Sequence, residues 1–145
     1  METARRATGP AVNASVRRYR ILTVIAGAVA GLIVWVIARL ALGHDLTSTQ
    51  PGSDGMTTIG PVAVVLTSLI LGLIAWGVLA LLERFTGNAR RIWTIIAVVV
   101  LLLSLAGPLS QANGTGTTIA LLLEHLVVGG ILILGLLRTV LDRRV

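Results

Sequence analysis

Residues 62–82 read VAVVLTSLILGLIAWGVLALL, 21 positions without a charged side chain. As a helix rising about 1.5 Å per residue, the run is roughly 31 Å long, close to the hydrocarbon thickness of a bilayer. In lipid every backbone N–H and C=O must find its partner within the protein, which leaves helices and closed barrels. A barrel strand alternates apolar and polar residues, and this run does not. It is therefore read as a helix. Pro61 precedes it and suits a first helical turn, where its missing N–H is not needed.

Three further runs repeat the pattern. Ile21 to Ala38 is uncharged and reaches roughly 27 Å as a helix. Ile92 opens a run that continues to Leu105 and on towards Leu109, with Gly107 and Pro108 expected to end or kink it. Ile119 to Leu137 is apolar apart from Glu124 and His125. The expected fold is all-α: an integral membrane four-helix bundle with spans at about 21–42, 61–82, 92–109 and 118–138. Residues 1–20 are expected to be a basic, unstructured cytoplasmic tail, and 139–145 a short basic one.

Composition agrees. Of 145 residues, 55% are hydrophobic and 12% charged, and mean hydropathy is +0.94. The formal net charge is +6, carried by Arg with no Lys. These Arg flank the apolar runs, so they point to a membrane surface and not to nucleic acid. No Cys is present, which excludes disulfides, Cys-ligated metals and thiol chemistry. Aromatic residues are only 3%, too few for stacking platforms.

Sidedness follows from the basic residues. All but one of the 12 lie in the N-terminal tail (Arg5, Arg6, Arg17, Arg18, Arg20), the 83–91 loop (Arg84, Arg90, Arg91) or the C-terminal tail (Arg138, Arg143, Arg144). Arg39 alone falls on the other side. The positive-inside rule then places both termini in the cytoplasm of a multi-pass protein of the cell membrane. Tyr19, Phe85 and Trp93 fall near the inner interface, where aromatic rings are favoured. Arg17-Arg18 before an apolar run loosely resembles a twin-Arg signal, but the run is long for an h-region and three more follow, so it is expected to stay as a span.

Within a bilayer, small residues let helices approach closely. Gly27 and Gly31 form a GxxxG pattern in the first run. Ser68 and Gly72 stand four apart in the second, and Gly129 and Gly130 lie in the fourth. Packing inside the bundle is the plainer reading of this set, and a homo-oligomer through Gly27 and Gly31 is the alternative. Thr23, Thr67, Ser68, Thr94 and Ser104 can each bond their own helix backbone.

One polar constellation stands out. An acid at the centre of a membrane helix costs about 2.5–3.5 kcal/mol on insertion scales, so such residues face the bundle interior and take partners. Glu124 and His125 are candidates for an intramembrane site, with Arg39 and His44 as possible companions near the outer boundary. A Glu124–Arg39 pair requires the first and fourth helices to be neighbours. Three readings compete: a polar clamp between helices, proton or solute handling, and metal binding through His125, Glu124 and His44. Adjacent helical residues point about 100° apart, which counts against the last. No Ser-His-Asp set or phosphate-cradling loop is visible, so neither an enzyme nor a cofactor or bound metal is expected.

Residues 72–84, GLIAWGVLALLER, lead into a basic loop and Trp93. Residues 104–109, SLAGPL, close the third run, and His125-Leu opens the body of the fourth. Together these resemble an uncharacterised family, a domain of unknown function, of small four-span membrane proteins from high-GC Gram-positive bacteria. The resemblance covers about residues 20–140. It implies a four-helix membrane protein, supplies no activity, and gives weight to Pro108 and His125. The expected role is a non-enzymatic accessory or interaction component, whose partners are the lipid bilayer and another membrane protein or a second copy, without nucleic acid. The alternative is a small proton-linked transporter or channel-like protein using Glu124, His125 and Arg39.

Overall fold

The computed structural model describes residues 10–43, 45–49 and 55–140. The chain runs α1 (Pro10–Leu42), β1 (Thr47–Thr49), β2 (Met56–Thr58), α2 (Pro61–Phe85), α3 (Ala89–Ser104), α4 (Ala106–Gln111) and α5 (Thr115–Leu137). Four helical segments, with α3 and α4 counted as one, are each long and apolar enough to cross a membrane. They run up, down, up and down. α1 packs most extensively on α5 and on α2, and α3 bridges α2 and α5 on the far side.

The helix ends follow local chemistry. α1 stops at Gly43, whose φ of 68° is open to glycine at little cost, and whose N–H bonds the Arg39 carbonyl at 3.0 Å. Pro61 opens α2 as its first residue. An end or kink is expected at Gly107–Pro108; the interruption falls at Leu105, between α3 and α4. Pro108 has no N–H for the Ser104 carbonyl, and the helix is interrupted at Leu105 before α4 resumes. The Ser104 hydroxyl turns back to the Leu101 carbonyl at 2.7 Å. Gly114, at φ 90°, makes the tight entry into α5.

The segment joining α1 to α2 holds a small hairpin, absent from the sequence reading. β1 and β2 pair antiparallel, with Ser48 opposite Thr57. Ser48 also bridges Ala112, and the Asn113 N–H bonds the Thr47 carbonyl at 3.1 Å. The hairpin thereby ties the α1–α2 and α4–α5 connections together over one end of the bundle.

Three buried clusters lie along the bundle. Trp35, Leu46, Val64 and Ala120 sit under the hairpin; Val24, Val128 and Leu132 form the second; Leu79, Trp93 and Leu136 form the third, near the chain ends. Small residues set the helix spacing. A Cβ built on Gly31 would lie 3.1 Å from Val128 Cγ2 and 3.2 Å from Ser68 Oγ, so α1, α2 and α5 meet there. Gly27 faces Leu132, Gly72 faces Val24 and Gly129 faces Leu101. Gly27 and Gly31 are thus used within the bundle.

Two expectations need correction. Residues 10–20, read as tail, belong to α1, because the apolar and small residues between the Arg allow the helix to extend past the hydropathic boundary. Gly130, read as a packing glycine, meets nothing within 4 Å, because it lies one step round α5 from the face that contacts α3.

Candidate functional site

Glu124 is the tenth residue of α5, so it sits roughly 14 Å along the helix from its hairpin end. That is close to mid-depth, deeper than a count from Ile119 suggests. It is half-buried, as is His125. Both line a cleft of about 290 Å³ bounded by α2, α3 and α5.

Helical periodicity builds the walls. On α5 the lining residues are Glu124, His125, Val128, Gly129, Leu132 and Ile133, a stripe at one helical face. α3 presents Trp93, Ile96, Ala97, Val100, Leu101 and Ser104 with the same spacing. α2 contributes Thr67, Ser68, Leu71, Ile74, Ala75 and Val78. The polar groups gather at one end. Thr67, Ser68, Ser104, Glu124 and His125 are all in the half nearer the hairpin, and the slot is apolar from there to Trp93. The stretch from Ser104 to Trp93 along α3 is roughly 16 Å.

His125 is oriented by its own helix. Its Nδ1 lies 2.8 Å from the Leu121 carbonyl, and a carbonyl only accepts, so Nδ1 carries the proton. Among the described residues, no hydrogen bond or ion pair reaches the Glu124 carboxylate.

Arg39 does not fill that place. It pairs with Asp45 at 2.7 Å and lies 5.4 Å from the Trp35 ring centroid, with both ionic side chains about half exposed. α1 and α5 are indeed neighbours, but Glu124 faces α2 and α3 and not α1, so the expected Glu124–Arg39 contact is not made. His44 lies outside the described residues. Among the described residues, no group of three or more His, Asp or Glu is placed to hold a metal ion.

A second polar centre went unseen in the sequence. Arg20 is almost wholly buried where α1, α2 and the end of α5 converge. One of its terminal nitrogens meets Glu83 Oε1 at 2.7 Å and the Thr139 carbonyl at 3.0 Å, and Nε donates to Thr139 Oγ1 at 3.0 Å. The signal was present: an Arg just before the first apolar run and a Glu just after the second fall at the same end of two antiparallel helices. Trp93, expected at the interface beside Tyr19 and Phe85, behaves differently from them. Those two are 64% and 75% exposed, whereas Trp93 is 3% exposed, and its indole N–H has no partner among the described residues.

A family profile matches residues 11–142, nearly the whole chain and every element just described. The chain belongs to DUF6069, a family of unknown function. The expected membership of a family without an assigned activity is met at that level. No curated protein and no solved structure matches. For this DUF6069 chain, function has to be argued from the cleft itself.

Proposed function

We propose that this DUF6069 protein is a multi-pass protein of the cell membrane with both termini cytoplasmic, and that it is a non-enzymatic binding component. Its recognition site is the cleft between α2, α3 and α5. Large apolar side chains stand exposed along all four segments, among them Ile33, Leu73, Leu103 and Leu134, which supports lipid as their solvent. Seven Arg side chains of the described residues (Arg17, Arg18, Arg20, Arg84, Arg90, Arg91 and Arg138) lie towards the end of the bundle that holds the α2–α3 turn, and Arg39 at the other, which supports the orientation.

One observation carries the binding role. Glu124 is an acid at mid-depth, on the wall of an apolar cleft, with no partner from the described residues. A purely structural clamp would pair it across the bundle, as Arg20 and Glu83 are paired. Gentle detergent extraction followed by mass spectrometry tests the role. A stable companion, protein or small molecule, should accompany the wild type and be lost when Ala97→Trp fills the cleft. Repeated recovery of the wild type alone would contradict it.

The proximity of Glu124 and His125 in one cleft also favours a second reading, proton-linked transport, since a carboxyl group and an imidazole can exchange protons. Glu124→Gln should then preserve assembly and abolish pH-dependent flux in reconstituted vesicles. Unchanged flux dismisses this reading.

A further inference from the structure

We infer that the cleft binds an elongated lipophilic cation: an ammonium or similar positive head on a hydrocarbon body, with Glu124 as its counter-ion. This rests on the cleft being the recognition site and adds the chemistry of what enters it.

Charge is the first argument. Among the described residues, the walls carry one acid, Glu124, one imidazole, His125, and no Arg or Lys. The nearest candidate cation in the sequence, Arg39, is committed to Asp45. The Nδ1–H of His125 is spent on the Leu121 carbonyl and is not offered to a ligand. A bound anion would meet the Glu124 carboxylate in a low-dielectric wall, whereas a cation or N–H donor satisfies it.

Shape is the second. The polar groups are confined to one end, and the remaining length is lined by aliphatic side chains down to Trp93. A volume of about 290 Å³ spread along roughly 16 Å describes a narrow slot, suited to a chain and not to a globular ligand. Ser68 and Ser104 flank the same end, but Ser104 already donates to the Leu101 carbonyl, so its oxygen has lone pairs left to accept. A head group that donates in several directions matches this set.

Photo-crosslinking tests the inference on the full chain in lipid nanodiscs. The probe is a twelve-carbon primary alkylamine with a diazirine at the far end of its chain. Saturable adducts are expected on α2 and α3 near Trp93. Dodecylamine should compete and dodecanol should not. Glu124→Gln should weaken labelling at least about tenfold, the loss expected for one charge-assisted contact, without lowering the unfolding midpoint. Glu124→Asp, which keeps the charge, should retain most of it.

Equal competition by the alcohol, or labelling indifferent to Glu124→Gln, would overturn the cation while leaving the cleft as a binding site. Absence of saturable labelling in the cleft would also overturn it. In that case, loss of the co-purifying companion with Ala97→Trp decides separately whether the cleft is a recognition site.

Discussion

At the residue scale, glycines that look alike in the sequence carry different burdens. A Cβ on Gly72 would come within 2.8 Å of Val24 Cγ1, and one on Gly135 would collide with the Thr23 side chain. Both neighbours are β-branched and held near one or two rotamers in a helix, so they yield poorly. Gly72→Ala and Gly135→Ala should each destabilise the protein by about 1–3 kcal/mol. Gly130 faces open space. Gly130→Ala should stabilise it by about 0.5–1 kcal/mol, because alanine removes the entropic cost of a helical glycine. Unfolding midpoints in detergent check this, and a shift of the same sign for all three would refute it. The sequence shows where glycines stand but not which way they face. An apolar helix has no polar face to mark its outside, so Gly129 and Gly130 are indistinguishable until the neighbouring helices are placed.

At the element scale, the Arg20–Glu83–Thr139 centre fastens the first third of α1 to the ends of α2 and α5. Removing one member of a buried pair leaves an uncompensated charge. Arg20→Met should therefore cost about 3 kcal/mol, and the double change Arg20→Met with Glu83→Leu should recover most of it. A double variant no more stable than the single one would show that the pair is not the source. The other end is held by the hairpin. The Trp35 indole N–H donates to the Ile59 carbonyl at 2.8 Å, and Leu46 is buried beneath. Trp35→Phe should lose about 1 kcal/mol and loosen the α1–α2 connection, measured as faster amide exchange at Ile59. Elements were legible where hydropathy is continuous. The Pro108 break was also legible, since a missing N–H is a local property. The Thr- and Ser-rich hairpin was not, because its pairing is closed by tertiary contacts to Trp35 and Asn113. Arg20 was misjudged for a related reason: hydropathy assigns a charge at a span boundary to water, and only the Glu83 and Thr139 partners make its burial tolerable.

At the scale of the whole molecule, the bundle leaves one structural asymmetry. α1, α2 and α5 share glycine-lined contacts, whereas α3 is joined more loosely; only 11% of its most apolar stretch is buried, against 28% in α1 and α5. The cleft lies along that looser seam, which is why an acid can sit within the bundle without a partner. The sequence singled out Glu124 and His125, which line this cleft, and offered Arg39 as a companion; Arg39 instead pairs with Asp45, because helix adjacency does not fix which face an interior residue takes. The chain has no Cys, and Gly55, beside the hairpin, and Gly87, in the α2–α3 turn, both face open space. Single Gly55→Cys and Gly87→Cys variants can therefore report sidedness in intact cells with a membrane-impermeant maleimide. Gly55→Cys should react from outside, and Gly87→Cys only after the membrane is permeabilised. Equal reactivity of the two in intact cells would contradict the crossing of α2, and the reverse order would contradict the orientation.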